Sequence, residues 1–144
     1  MPPDPRAQLR AWFGLRPPPT DRRSLGQRGE DVAARYLEHQ GFRILDRNLR
    51  TRNGEADLVC LDGGTLVIVE VKSGQDDADH PPQARVGRQK RRTLLALAEE
   101  QQKRRGLLGH SVRVDVVEVV WRNESKDHTV RHYPGAVVDG RRRG

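Results

Sequence analysis

Two glycine-containing turns divide the middle of the chain into three short segments, and their spacing limits the folds that are open to it. Asn53-Gly54 is a dipeptide favoured in two-residue hairpin turns, and Asp62-Gly63-Gly64 provides a second turn. The segments around them, residues 42–49, 55–61 and 66–72, are rich in the apolar and β-branched residues typical of strands. The pattern therefore predicts an antiparallel meander of three strands.

Helical patterns flank this meander. Ser24 suits the N-cap of a first helix, which Gly41 would end. A second, longer helix is expected over residues 83–105, and two further strands over residues 112–121 and 129–133. Together these elements predict an α/β domain in which two helices flank a mixed sheet of about five strands.

Composition sets the expected domain boundaries. Six of the nine prolines lie in residues 1–19, so residues 1–23 are expected to form a flexible tail and residues 139–144 a short basic one. The folded domain would then span residues 24–138. The sequence has no apolar run long enough for a membrane span and no secretory leader pattern, which favours a cytoplasmic protein without a membrane partner. The lone Cys60 reads as a small buried residue.

Positive charge indicates a polyanionic partner. The chain has 27 Lys and Arg against 20 Asp and Glu, a net charge of +7. Residues 85–105 hold eight of these bases and only two acids, and such a basic segment favours nucleic acid as a partner. High-GC coding could also produce the excess of Arg over Lys, and a solvated helix face is the alternative for the segment. The candidate phosphate contacts are Arg88, Lys90, Arg91 and Arg92.

Acidic residues interrupt the second and third predicted strands. Strand alternation puts Glu55, Asp57 and Val59 on one face of the second strand, and Ala56, Leu58 and Cys60 on the other. On the third strand it puts Glu70 and Lys72 together, opposite Val67, Val69 and Val71. Carboxylates within apolar strands are costly unless compensated, and a divalent cation with a neighbouring lysine would compensate them. Hard oxygen ligands favour Mg²⁺ or Mn²⁺. The alternatives are a buried salt bridge of Lys72 with Glu70 or Asp57, or an acidic face in water.

The complete pattern carries a family resemblance. Gly54-Glu55-Ala56-Asp57, followed after twelve residues by Glu70-Val71-Lys72, resembles the PD-(D/E)XK nuclease superfamily, which has an Asp on one strand and Glu-x-Lys on the next. The longer segment GQRGEDVAARYLEHQGFRILDRNLRTRNGEADLV, followed by VIVEVKSG, resembles the YraN family of bacterial endonuclease-like proteins, which are similar to Holliday-junction resolvases. The chain departs from this family at Gly74, where relatives usually carry a basic residue, and at Ala56, where they carry a larger aliphatic one.

The resemblance implies a restriction-endonuclease-like core and a metal-dependent nuclease that hydrolyses DNA, with branched DNA as a candidate substrate. Asp57, Glu70 and the backbone carbonyl of Val71 would hold Mg²⁺ or Mn²⁺. Lys72 would orient or deprotonate the attacking water, and Glu30 would act through a water on the same metal or help a second metal to bind.

The resemblance leaves three questions open. Glu55 is either a further catalytic ligand or the ion-pair partner of Arg50 or Arg52. The chain is either a nuclease or a noncatalytic module that binds DNA or another partner and keeps the nuclease fold. A homodimer is compatible with symmetric cutting of two strands, but the sequence identifies no interface.

Overall fold

A five-stranded open sheet lies between two helices in the computed structural model, which describes residues 25–75, 87–122 and 127–137. The predicted tails, residues 1–23 and 139–144, lie outside the described residues, as do Ser24 and residues 83–86 of the second predicted helix. In chain order the elements are α1 (Leu25–His39), β1 (Arg43–Thr51), β2 (Gly54–Asp62), β3 (Thr65–Gln75), α2 (Arg88–Arg104), β4 (Val112–Trp121) and β5 (His128–Val137).

The strands lie in the sheet in their order along the chain. β1, β2 and β3 form the predicted antiparallel meander, β3 and β4 are parallel, and β5 is antiparallel to β4. A parallel pair needs a long crossover connection, and α2 lies in the crossover between β3 and β4. The predicted class, α/β with a mixed sheet of five strands and flanking helices, is confirmed.

The observed bounds follow backbone pairing more closely than apolar pattern. β4 has its predicted limits, whereas β3 continues past Lys72 to Gln75 and β5 continues past Tyr133 to Val137. The extra residues of β3 are polar or glycine, but they pair in register with Val119, Val120 and Trp121 of β4. Hydrogen bonding to a neighbouring strand therefore extends β3 beyond the segment that hydropathy predicts.

Each face of the sheet is covered by one helix. On the first face, Ala33 and Leu37 of α1 pack on a buried set made of Leu58, Cys60, Val67, Val69, Val117 and Val119. On the second, Leu94 and Leu97 of α2 pack on Val59, Leu66, Ile68, Val114 and Val116. Cys60 is buried as predicted, and desolvation raises the pKa of its thiol to about 12. No helix within the described ranges is long and apolar enough to cross a membrane.

The predicted alternation of β2 is wrong at Ala56. Leu58 and Cys60 face α1 as expected, but Ala56 packs with Val59 in the cluster under α2. Regular pairing of β2 with β3 stops at Leu58, and Asn48, which lies across from Asp57 in β1, has a φ of +53°. The strand is therefore irregular at Asp57, and strict two-residue alternation does not continue through it.

Candidate functional site

The irregularity in β2 puts the Asp57 side chain where a backbone partner would otherwise lie. The β2–β3 ladder reaches Leu58 and Val69 and no further. Beyond it, the Asp57 Oδ2 atom accepts a hydrogen bond of 2.7 Å from the backbone N–H of Val71. The N–H and C=O of one strand residue project toward the same neighbouring strand, so the Val71 carbonyl faces the same gap. Asp57 and the Val71 backbone are thereby held beside one another.

Glu70 lies next to this gap and contacts two lysines. Its Oε1 atom is 3.3 Å from Nζ of Lys72 and 3.8 Å from Nζ of Lys90. Glu70 is buried, with 7% of its surface exposed. Lys72 comes from the same face of β3, as predicted, whereas Lys90 comes from the first turn of α2. One carboxylate thus joins a strand lysine to a helix lysine.

Glu30 approaches from the opposite helix. Its carboxyl lies beside that of Asp57 and raises the pKa of Asp57, both by charge repulsion and by a side-chain hydrogen bond. The preceding residue of α1, Gly29, lies directly over Ser73 of β3, and a Cβ atom at position 29 would overlap the Ser73 hydroxyl. The absence of a side chain at Gly29 therefore allows α1 to come close enough for Glu30 to reach Asp57.

The electrostatics of the cluster disfavour ionised carboxylates. Desolvation is the main cause that raises the pKa of Asp57, and Glu30 raises it further, while the Val71 N–H and Lys90 act against this rise. Desolvation also raises the pKa of Glu70, and Asp57 adds to it, while Lys90 and Lys72 oppose it. Three carboxyl groups thus share two ammonium groups in a partly buried space. Added positive charge would be stabilised there.

Of the other predicted site residues, only Lys90 reaches this cluster. Glu55 is exposed, and its Oε1 atom is 3.5 Å from Nε of Arg50, which is the second of the two arrangements left open for it. Arg88, Arg91 and Arg92 are exposed on the first turns of α2. Lys90 is only partly exposed because it turns toward Glu70. The carboxylate cluster is therefore bordered by a basic helix end.

The donor set fits a hard divalent cation. In the part of the chain that the structure describes, no three side chains from His, Cys, Asp and Glu are gathered as a ready-made metal site. Mg²⁺ does not require such a set, since it is usually held by one or two carboxylates and keeps several waters or substrate phosphates. The two carboxylates of Asp57 and Glu70, with the Val71 carbonyl, supply oxygen ligands of that kind.

A second buried polar network, which the sequence did not predict, lies on the α1 face between β4 and β5. The fully buried Asp115 accepts hydrogen bonds from Arg113 Nε at 2.8 Å and from the Gly135 N–H at 2.9 Å, and contacts His132 Nε2 at 2.7 Å. Arg113 also donates to Asp62 at 2.9 Å. Hydrogen bonding to Asp115 is the main cause that raises the pKa of the Arg113 guanidinium. The network joins three strands and has no contact with Glu70 or Asp57.

Glu118 is a further acidic residue that sequence reasoning missed. It lies across from Lys72 in the parallel register of β3 and β4, and it is buried, with 4% of its surface exposed. Its Oε2 atom has no hydrogen-bond partner among the described residues and lies 3.9 Å from Nη1 of Arg131. Its acidic position in an apolar strand, VRVDVVEVVW, is the signal that could have identified it.

Fold and site together define an α/β protein in which partly buried carboxylates and lysines meet at the end of a β-hairpin, between two helices. The chain belongs to the family described as "Uncharacterised protein family UPF0102", whose model matches residues 29–119 and so includes the whole cluster. This family membership confirms the resemblance to the YraN proteins.

Curated relatives match over most of their length. The chain is 46% identical over 121 residues to a UPF0102 protein of Anaeromyxobacter dehalogenans, covering 83% of this chain and 89% of that protein. It is 43% identical over 120 residues to a UPF0102 protein of Syntrophotalea carbinolica, covering 83% and 96%. The similarity thus extends over nearly all of these relatives.

Proposed function

We propose that the chain is a metal-dependent nuclease that hydrolyses DNA phosphodiester bonds, with branched DNA as a candidate substrate. One observation carries the proposal: Asp57 and Glu70 are held together beside the Val71 backbone, with Lys72 Nζ 3.3 Å from Glu70. Two acids of raised pKa, one buried and one partly buried, that lie beside a lysine are typical of sites that do chemistry.

Asp57, Glu70 and the Val71 carbonyl would hold the Mg²⁺ or Mn²⁺ ion. When bound, the ion supplies Lewis-acid polarisation of the phosphate and offsets the negative charge that develops on it. Asp57 is suited to this position because its Oδ2 atom is fixed by the Val71 N–H, while the cost of ionising it in a buried site would be repaid by a cation.

Lys72 would orient the attacking water and stabilise charge on the phosphate oxygens. Its ammonium group has three donors, and the contact with Glu70 engages one edge of it and leaves the others for water or phosphate. An aimed donor in a partly buried site contributes about 3 kcal/mol to transition-state stabilisation. Lys72 therefore has the chemistry and the position for this role.

Glu30 would affect how readily Asp57 ionises. Repulsion between the two charges and a side-chain hydrogen bond from Glu30 both raise the pKa of Asp57. A bound cation would act against that effect by favouring the anionic form of Asp57. We assign Glu30 a positioning role, since its contact is with Asp57.

DNA is the substrate that the surrounding charge favours. Arg88, Arg91 and Arg92 lie on exposed turns of α2 within one to two residues of Lys90, which contacts Glu70. Cationic side chains beside a phosphoryl-transfer site hold the flanking phosphates and release counterions when they do so.

The test is cleavage of linear, single-stranded, flapped and four-way DNA with Mg²⁺ or Mn²⁺. We expect Asp57→Asn and Lys72→Ala each to reduce cleavage at least about a hundredfold, or about 2.7 kcal/mol of transition-state stabilisation. Both should still bind DNA. Glu55→Gln is the control, because this exposed acid lies outside the cluster. Cleavage that persists in EDTA, or equal rates for all variants, would contradict the proposal. DNA binding without cleavage under any divalent metal would leave the noncatalytic module as the function.

A further inference from the structure

A basic groove separate from the carboxylate cluster lies between the β1–β2 turn and the C-terminal half of α2. Its volume is about 700 Å³, and its lining comprises Arg50, Thr51, Arg52, Asn53, Glu100 and Arg104. Three arginines face one carboxylate, so the lining is positive. None of these residues belongs to the predicted phosphate contacts at the start of α2.

The two walls of the groove are fixed to each other. The Asn53 side-chain amide donates a hydrogen bond to Glu100 of α2. Gly54 packs so closely on Thr93 that a Cβ atom there would overlap the threonine methyl, and its φ is +145°, which side chains rarely adopt. The turn is thus held against the helix by a side-chain contact and by a backbone position that needs glycine.

Two of the three groove arginines form ion pairs through Nε, which leaves their Nη groups for a ligand. The ion pair of Arg50 with Glu55 runs through Nε at 3.5 Å, and that of Arg104 with Glu100 runs through Nε at 3.3 Å. Arg52 has neither an ion pair nor a hydrogen bond to any described residue. An arginine anchored through Nε can still present its Nη groups to a phosphate, and anchoring reduces the entropy lost when it does.

The groove is close enough to the carboxylate cluster for one DNA strand to contact both. Asn53 is four strand residues from Asp57, or about 13 Å at about 3.3 Å per residue. Glu100 is ten helical residues from Lys90, or about 15 Å at 1.5 Å per residue. Both separations are short enough for one DNA strand to reach the groove and the cluster through phosphates that lie a few nucleotides apart.

We infer that this groove binds the phosphate backbone of the DNA substrate, a few nucleotides from the bond that the carboxylate cluster acts on. The inference rests on the proposed function for its ligand. Exposed arginines on an open groove suit a phosphate within a polymer, since a free phosphate ion needs donors that enclose it. The contact would fix the register of the DNA relative to Asp57 and Glu70.

Binding measured in EDTA tests the groove without cleavage. The variant is Arg52→Gln with Arg104→Gln, and the matched control is Arg35→Gln with Arg43→Gln, which removes the same charge from two exposed positions, on α1 and at the opposite end of β1. For duplex DNA we expect the groove variant to lose at least about tenfold in affinity and its log–log salt slope to fall by about 1.8, for two phosphate contacts at about 0.9 each. The control should keep the wild-type slope. Thermal melting checks that both variants are folded.

Glu100→Gln gives a result of opposite sign. This change removes the one carboxylate of the groove lining, and the oxygen of the new side-chain amide can still accept the hydrogen bond from Asn53. The affinity for DNA should therefore rise two- to fivefold. Equal affinity and slope for the groove and control variants would overturn the inference. The inference would also be overturned if the groove variant lost affinity for RNA but not for DNA, or if the wild-type groove bound inorganic phosphate as tightly as DNA. A wild type that binds through the groove but cuts nothing would contradict the nuclease proposal only; cleavage that is independent of Arg52 and Arg104 would contradict the groove only.

Discussion

The carboxylate of Asp57 replaces a strand partner by accepting the backbone N–H of Val71 at 2.7 Å. This hydrogen bond has two structural consequences. It completes the hydrogen bonding of β3 where the ladder with β2 has ended, and it brings an acid beside Glu70. Asn can accept the same hydrogen bond, so Asp57→Asn changes the charge of the site and keeps its backbone connection.

Asp57→Asn should increase stability at neutral pH. Asp57 and Glu70 both have a pKa above their ordinary values of 3.8 and 4.5, so the folded state binds protons more tightly than the unfolded state. Their favourable contribution to stability is therefore present below those ordinary values and is lost as pH rises through the folded-state pKa values.

Urea denaturation at pH 4 and pH 7 checks this expectation. The Asn variant should exceed the wild type in unfolding free energy at pH 7, and the two should converge toward pH 4. Glu55→Gln, which alters an exposed acid, should show no such pH-dependent difference. A variant that is less stable than the wild type at pH 7 would show that ionised Asp57 is compensated in the folded chain.

Divalent cations should stabilise the wild type through the same acids. Binding to the folded state alone raises stability by about 2.7 kcal/mol when the free ion is at a hundred times its Kd. Titration with Mn²⁺ or Mg²⁺ during thermal unfolding should therefore raise the Tm of the wild type but not of Asp57→Asn. Calorimetry should also detect proton release, because cation binding favours ionised carboxyls of raised pKa. Equal Tm shifts in both proteins would locate the bound ion elsewhere.

Gly29→Ala should destabilise the fold although alanine is the better helix former. Alanine in place of glycine within a helix normally adds about 1 kcal/mol. Here the new Cβ overlaps the Ser73 hydroxyl, and such overpacking costs about 1 to 3 kcal/mol. Because α1 must move away from β3, cleavage should fall as Glu30 loses Asp57. Adding Ser73→Ala should restore part of both losses, whereas a double variant no better than Gly29→Ala would exclude this contact as the cause.

Lys90 and Arg92 should differ in what they control although both lie on the first turns of α2. Lys90 lowers the pKa of Glu70 and Asp57, so Lys90→Gln should move the acid limb of the cleavage–pH profile to higher pH. Arg92 is exposed, and Arg92→Gln should leave that limb in place and reduce the salt slope of DNA binding by about 0.9. If both variants had the same cleavage–pH profile, Lys90 would have no role in the site.

Asp115→Asn should be among the most damaging single changes. Removing the negative charge leaves Arg113 without its buried partner, and breaking a buried pair costs about 3 kcal/mol or more. Asp62→Asn is the matched control, because Asp62 contacts the same Arg113 with 41% of its side chain exposed and should cost less than about 1 kcal/mol. Similar losses from both changes, measured by chemical denaturation, would contradict a special role for the buried carboxylate.

Local signals predicted the sheet and the core of the site. Asn53-Gly54 and Gly63-Gly64 set the hairpins, and two-residue alternation correctly joined Glu70 to Lys72. The same rule failed at Ala56, since the Asp57 side chain interrupts the ladder and local alternation does not foresee tertiary hydrogen bonds.

The remaining contacts depend on register between distant segments. Lys90 reaches Glu70 across the β3–β4 crossover, and Asp115 meets His132 beside a register shift in the β4–β5 ladder. Neither contact follows from spacing along the chain. Asn53 and Glu100 are likewise 47 residues apart, and only the packing of the turn on α2 brings them together.

The open sheet leaves two edges, and their chemistry opposes growth by strand addition. On β5, Pro134 has no N–H to offer and Gly135, with a φ of +62°, bends the strand out of the extended conformation. On β1, exposed Arg43, Arg47 and Arg50 would confront the same charges on an antiparallel copy. Natural proteins use proline and edge charge in this way against aggregation. Extension of the sheet by a second copy of the chain would therefore meet a missing donor on β5 and like charges on β1.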